Sequence, residues 1–367
     1  MNGVHLTMVS SNAYIQAPGL MKKAGEWISR YGNKLFIITG EKSWASVSPA
    51  LPDSLAAASL AYGVHRYRGE CSQTEIDRLS DLVPDDTDLI VGVGGGKVLD
   101  ITKAVCFETK RPFVAIPTIA ATCAAVTNLA IKYTDDGVYE GFDTYLTNTL
   151  LALVDSAVIA KAPLNYLAAG IGDTVAKWYE SAASSSGKNH NLATVAGLQM
   201  AKLCYDTLTR YGAQAYNEAK QGVAGDALQH VIDAIILASG MVGGLGEDDC
   251  RSAAAHAVHN GLTVLPESHH ALHGSKVAYG ILVQLIMEGR PREEVDELRR
   301  FYRSVDLPCS LSELGIERPL SEAERREIAR VALLPVSTMG MMPFPVTESM
   351  VVTAMKQTDR EYAERFS

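Results

Sequence analysis

The chain has 367 residues, a length that sets an expectation of about two domains. Hydrophobic residues make up 47% and charged residues 20%, which excludes a disordered chain. The net charge is −9 with no long basic run, which argues against nucleic-acid binding, because neutralising phosphates needs clustered cations. The six cysteines (Cys71, Cys106, Cys123, Cys204, Cys250 and Cys309) form no CxxC pair, so zinc-ribbon and thioredoxin-like frameworks fall away and free thiols in a reducing cytoplasm are expected. The N-terminal stretch has no basic region followed by an apolar core, and no apolar run is read as reaching the roughly 20 residues of a membrane helix. A cytoplasmic protein without a membrane partner is therefore expected.

The first 160 residues alternate apolar runs with amphipathic ones. Strands are expected at Leu35–Thr39, Val64–Arg68, Asp88–Val93 and Phe113–Ile116, with helices at Trp44–Leu60, Glu75–Leu82 and Val98–Phe107. Such alternation implies βαβ units and a parallel sheet. Leu129–Tyr133 and Val138–Phe142 flank an Asp-Asp-Gly turn signal at Asp135–Gly137 and predict a hairpin. After Pro163 the strand-like runs vanish and Ala-rich helical periodicity takes over, as at Asp173–Ala183, Leu192–Thr209, Leu228–Gly240 and Glu293–Ser304. The expected architecture is an α/β dinucleotide-binding domain with a parallel sheet over residues 1–162 and an all-helical metal-binding, catalytic domain over 163–367.

Two constellations carry chemistry. Strand Asp88–Val93 runs into Gly94, Gly95, Gly96 and Lys97, and a helix follows. Glycines admit a phosphate close to the backbone, and a helix N-terminus offers free N–H groups. The spacing matches neither GxGxxG nor a Walker motif, and a tight turn without a ligand is the plainer alternative. Asp100 and Lys103 lie on the opening turns of that helix, placed to cap, to pair with each other or to touch a ligand. In the helical half, Asp173 is read at a helix start with Lys177 one turn on, His256 and His259 are spaced i and i+3, and His269, His270 and His273 form a third group. One carboxylate and two imidazoles suit zinc or ferrous iron and leave a coordination place for substrate. Spacing alone does not bring these segments together.

The motifs Gly94–Lys103 (GGGKVLDITK), Ile116–Thr122 (IPTIAAT), Gly170–Asp173 (GIGD), His256–Leu262 (HAVHNGL) and His273–Leu282 (HGSKVAYGIL) resemble those of the iron-containing alcohol dehydrogenases, in their glycerol dehydrogenase-like branch. Within it the chain is most similar to the hydroxycarboxylate dehydrogenases, reductases of 2-oxo acids. The resemblance runs in order over about residues 30–340. It implies a dehydroquinate synthase-like fold with a dinucleotide site in a cleft, and a homo-oligomer. It places Gly94, Gly95, Gly96, Lys97 and Asp100 at the cofactor, Thr118 and Ala121 along its channel, and Thr127, Leu129 and Tyr133 beside the nicotinamide half. It makes Asp173, His256 and His273 the ligands of one divalent metal, zinc or iron. Lys177 stands where a four-ligand branch carries a further His. His259 is then either a proton donor or a support for the ligands.

Two departures from the family pattern redirect substrate and cofactor. Glycerol dehydrogenases carry an Asp where this chain has Cys123, and losing that anion favours a substrate carboxylate; a packing thiol is the alternative. NAD-preferring relatives place an acid after the strand Leu35–Thr39, where this chain has Gly40. Gly40 leaves room for a 2′-phosphate and Lys42 offers it a charge, so NADP(H) is expected, with NAD(H) as the alternative if Glu41 reaches the ribose. The expected activity is metal-dependent hydride transfer between 2-oxo acids and 2-hydroxy acids. The alternatives are a polyol dehydrogenase interconverting glycerol and dihydroxyacetone and, less favoured, a dehydroquinate synthase-like lyase or cyclase.

Overall fold

A computed structural model describes residues 7–366. The first six residues of the N-terminal stretch lie outside the described residues. The chain divides into two compact units, residues 1–163 with 217–244, and residues 164–216 with 245–367.

The first unit is built on a six-stranded parallel sheet in the order β1-β8-β5-β4-β2-β3. Its strands are β1 (Tyr14–Ala17), β2 (Lys34–Thr39), β3 (Ala61–Arg66), β4 (Leu89–Gly94), β5 (Phe113–Pro117) and β8 (Leu151–Asp155), and β6 (Leu129–Tyr133) with β7 (Tyr139–Thr144) forms a separate antiparallel hairpin. The central strands β4, β5 and β8 are buried along their whole length, which is why they are made of apolar residues almost without alternation. Ile37, Val91, Val114 and Leu153 meet in the core on one side of the sheet. Strands β1 and β8 escaped the sequence reading. Their link is made by Asp155, whose carboxylate accepts the backbone N–H of Gly19 at 2.8 Å and of Met21 at 2.9 Å. The single helix expected over 44–60 is two, α1 (Glu41–Val47) and Ala50–Ala57, because Pro49 has no N–H to continue the ladder.

The second unit holds no strand among the described residues. It contains α3 (Leu164–Ser185), most of α4 (Leu192–Lys220), α5 (Ala254–Leu262), α6 (His273–Met287), Arg292–Ser304, Glu322–Ala332 and Glu348–Phe366. The first unit's own long helix, Gly96–Thr109, is α2.

The domain reading needs one correction. Residues 163–367 are not one unit, since Asn217–Gly244 returns to the first. The hydroxyl of Tyr14 in β1 donates to Asp233 at 2.8 Å, and the amide of Gln16 to the carbonyl of Gln229 at 3.1 Å. A helical texture gives no sign of such a return. The same region corrects the membrane reading: the helical stretch Asp226–Cys250 is long and apolar enough to cross a membrane by length and composition. Its most apolar window is half buried inside the protein.

Candidate metal centre and cofactor loop

The cofactor loop forms where β4 ends. Gly95 is extended and precedes α2 without a side-chain cap, so the first-turn N–H groups are left for another partner. Each glycine lies close to a neighbouring side chain, most tightly at Gly94. A Cβ on Gly94 would stand 2.7 Å from Val98 Cβ, one on Gly95 2.7 Å from Ile119 Cδ1, and one on Gly96 3.2 Å from Thr122 Oγ1. The segment from Thr118 through Ala121 to Thr122 thus lies against the glycines, and the Thr118 N–H donates to the Gly94 carbonyl at 3.1 Å.

Two of the expected cofactor contacts are otherwise engaged. Asp100 is buried, ion-pairs with Lys103 at 2.9 Å and accepts the Ile131 N–H at 3.2 Å. These contacts make it a brace between α2 and the β6–β7 hairpin. Lys103 completes the brace by donating to the carbonyls of Ala124 at 3.0 Å, Thr127 at 3.3 Å and Leu129. Lys97 is exposed and pairs with Glu70, its ammonium 5.7 Å from the ring centre of Tyr133.

After β2, Gly40 leads into α1 with Glu41 and Lys42 exposed. Its carbonyl accepts a guanidinium N–H of Arg66 at 3.2 Å. Arg66 ends β3 in register with Thr39, and its guanidinium lies 6.0 Å from the centre of the Trp44 ring. This cation was not singled out in the sequence, where it stands in a strand-like run 26 residues from Gly40. Cys123 lies in a turn of the same unit, its carbonyl accepting the Val126 N–H at 3.0 Å, and its Cβ is 3.6 Å from where a Cβ on Gly240 would be.

In the second unit Asp173, His256 and His273 converge, with one donor atom from each lying within 4.8 Å of the others. Three glycines make this possible. A Cβ on Gly172 would stand 2.6 Å from the Gly274 carbonyl oxygen, one on Gly274 1.8 Å from the Ala169 carbonyl oxygen, and one on Gly280 2.3 Å from the Ala255 carbonyl oxygen. Helix α6 is therefore in backbone contact with α3 on one side and α5 on the other. Asp173 lies in the middle of α3, not at a helix start. Gly172, just before it, serves close packing against α6.

The donor set fits a divalent cation. Asp173 Oδ1 is buried without a hydrogen-bond partner and lies 3.4 Å from Nε2 of both His256 and His273. Burial alone would raise the Asp173 carboxyl, but the Lys177 ammonium and the two imidazoles hold it well below the usual carboxylate range. Both imidazoles also carry a partner on the far nitrogen. His256 Nδ1 meets Glu180 Oε2 at 2.6 Å. His273 Nδ1 meets His259 Nε2 at 3.1 Å, and His259 Nδ1 meets Asn260 Oδ1 at 2.9 Å. An Nδ1–H on each ring satisfies the whole chain, because the Asn260 oxygen accepts from His259 and His259 accepts from His273. His259 thus stands behind a candidate ligand. Burial, reinforced by His273, Lys276 and His256, holds its imidazole well below the ordinary value. Lys276, one turn after His273, is itself buried, and desolvation lowers its ammonium. Neither Lys276 nor Glu180 was singled out in the sequence. Glu180 had a detectable signal, since it lies seven residues after Asp173 and so on the same helix face.

The family model of the iron-containing alcohol dehydrogenases matches residues 11–156. A glycerol dehydrogenase of Thermotoga maritima is 36% identical, over 96% of this chain and 97% of its own length. Hydroxycarboxylate dehydrogenase A of Escherichia coli is 38% identical over 88% of each chain. Among solved structures, a glycerol dehydrogenase of Schizosaccharomyces pombe matches with a TM-score of 0.90 at 31% identity, covering 98% of this chain and 92% of that one. A probable glycerol dehydrogenase of Sinorhizobium meliloti 1021 matches with a TM-score of 0.87 at 33% identity, covering 98% and 100%.

Proposed function

The chain belongs to the iron-containing alcohol dehydrogenase family and is a glycerol dehydrogenase-like oxidoreductase, and from that premise we propose that it interconverts a small polar alcohol and its ketone, glycerol and dihydroxyacetone in the first instance. The observation that carries this reading is the convergence of Asp173, His256 and His273 within 4.8 Å. When bound, a divalent cation polarises the reacting oxygen and a nicotinamide exchanges hydride with the carbon beside it. Asp173, His256 and His273 hold the cation as three protein ligands, which leaves a coordination place for the substrate oxygen. Gly94, Gly95 and Gly96 admit the pyrophosphate at the uncapped start of α2. Thr118 and Ala121 flank that loop, and Thr127, Leu129 and Tyr133 take the nicotinamide side. In the oxidative direction the bound nicotinamide would accept the hydride, and solvent the proton.

The 2-oxo acid reading is the second one. Cys123, in place of the family's Asp, favours it, as does the 38% identity to hydroxycarboxylate dehydrogenase A. The glycerol dehydrogenases match over more of the chain, 96% against 88%, and so take precedence. Steady-state rates with glycerol, dihydroxyacetone, 2-oxobutanoate and 2-oxoglutarate decide between the two. Faster turnover of the polyol pair is expected; faster turnover of the oxo acids returns the assignment to hydroxycarboxylates. With either class a chelator is expected to abolish turnover and added zinc or ferrous iron to restore it. Chelator-resistant turnover would remove the metal from the reading.

Gly40, Lys42 and Arg66 support NADP(H). No acid at position 40 repels a 2′-phosphate, and Arg66 adds an invariably charged fork beside the Gly40 carbonyl. A charge-assisted hydrogen bond contributes about 1.5–3 kcal/mol, so Arg66→Ala is expected to raise the KM for NADPH by about 10-fold or more while barely changing that for NADH. Equal changes with both cofactors would mean that Arg66 only supports the loop.

A further inference from the structure

Glu180 is fully buried in α3, two helical turns beyond Asp173, and its two oxygens do different work. Oε1 accepts the backbone N–H groups of Ala253 at 2.7 Å and His256 at 2.9 Å. These amides open α5, which has no side-chain cap of its own on Ala253. Oε2 faces His256 Nδ1 at 2.6 Å. One carboxylate thus caps the helix that carries a candidate metal ligand and grips that ligand's imidazole.

We infer that Glu180 is a positioning residue that holds the proton of His256 on Nδ1 and so presents the Nε2 lone pair to a divalent cation. The inference rests on the metal-centre reading above and adds to it a group that touches neither metal nor substrate. A carboxylate only accepts hydrogen bonds, so the ring nitrogen facing it must donate. The other nitrogen then carries the lone pair, and it is the one that lies 3.4 Å from Asp173 Oδ1. Partners of this kind orient metal-bound imidazoles and raise their basicity. The two backbone N–H groups make the arrangement one-way, because they hold Glu180 so that Oε2 alone meets the ring.

That asymmetry sets the test. In Glu180→Gln the side-chain oxygen must stay on the two backbone donors, since an NH2 group there would face two N–H groups. The amide NH2 then faces Nδ1 and donates to it. The His256 proton moves to Nε2, the nitrogen the cation needs. Helix α5 keeps its cap while the metal site loses a ligand's lone pair. Zinc affinity, measured by competition with a chromophoric chelator on full-length protein stripped of metal, is expected to fall about 10–100-fold. The melting temperature of the metal-free variant is expected to stay within a few degrees of the metal-free wild type. Equal zinc affinity in the two proteins overturns the inference, as does a loss of metal-free stability large enough to explain the weaker binding. Absence of zinc binding by the wild type sinks the metal-centre reading and this inference with it. A second measurement needs no variant. In zinc-loaded wild-type protein labelled with 15N-histidine, His256 is expected to show a protected, downfield Nδ1–H and a zinc-bound Nε2. A proton on Nε2, or zinc on Nδ1, overturns the assignment.

Discussion

Gly274→Ala is expected to destroy the metal site without touching a ligand. The added methyl group would stand 1.8 Å from the Ala169 carbonyl oxygen. That oxygen is backbone in the middle of α3 and cannot swing aside as a side-chain tip could. Helices α3 and α6 must part by about an ångström or more, whereas metal–ligand distances tolerate only about 0.2 Å. Asp173 rides on α3 and His273 opens α6, so the parting separates two of the three donors. Overpacking of this kind costs about 1–3 kcal/mol, occasionally more. Calorimetry of the metal-free protein reads the stability loss, and zinc titration reads the site. Gly340→Ala is the control, since a Cβ there meets nothing within 4 Å. A Gly274→Ala protein with wild-type melting and wild-type zinc affinity would refute the account of how α3, α5 and α6 build the centre.

The second large effect is expected at Asp173. Asp173→Ala removes the sole carboxylate of the donor set, and its loss should cost the several kcal/mol that a Lewis acid supplies, about 1,000-fold or more in turnover. Activity alone would not separate a lost metal from a lost fold. The readout is the thermal shift on adding zinc. Zinc at about 1,000 times its Kd stabilises the wild type by about 4 kcal/mol through mass action; the variant is expected to gain nothing. The metal-free variant is expected to melt below the metal-free wild type, because the Lys177 ammonium and the two imidazoles that hold the Asp173 carboxyl low also stabilise the fold, so each protein's zinc shift is read against its own metal-free form. A variant that retains both the zinc shift and turnover removes Asp173 from the centre.

Two of the strands that the sequence made visible are buried along their whole length, whereas the equally buried Leu151–Asp155 escaped and the more exposed Ala61–Arg66 was found by its alternation. Leu89–Gly94 and Phe113–Pro117 are apolar throughout, as the middle of a covered parallel sheet requires. The glycine turn was visible for a related reason, since close backbone approach leaves a composition with few alternatives. Strand Tyr14–Ala17 was not visible, because four half-buried residues carry no period to recognise. The three candidate ligands came through family motifs. Their spacing, 83 residues from Asp173 to His256 and 17 more to His273, contains nothing that says they meet.

What the chain's own order of residues determined was therefore local: several of the strands, the tight glycine turn after one of them, and which side-chain chemistries are on offer. Packing decided the rest. Asp173, read at a helix start, proved to be mid-helix because the glycine before it, Gly172, belongs to one continuous α3 in backbone contact with α6. Asp100 became a brace because Lys103 and the Ile131 N–H reach it first. Asn217–Gly244 returned to the sheet because Asp233 and the Gln229 carbonyl satisfy Tyr14 and Gln16. Glu180, one acid among 42 acidic residues, gained its importance from three donors that lie 73 and 76 residues away. A sequence carries propensities and chemistries residue by residue. Which buried donor meets which acceptor is set only when helices close to backbone contact, because a hydrogen bond has to be made within a few tenths of an ångström.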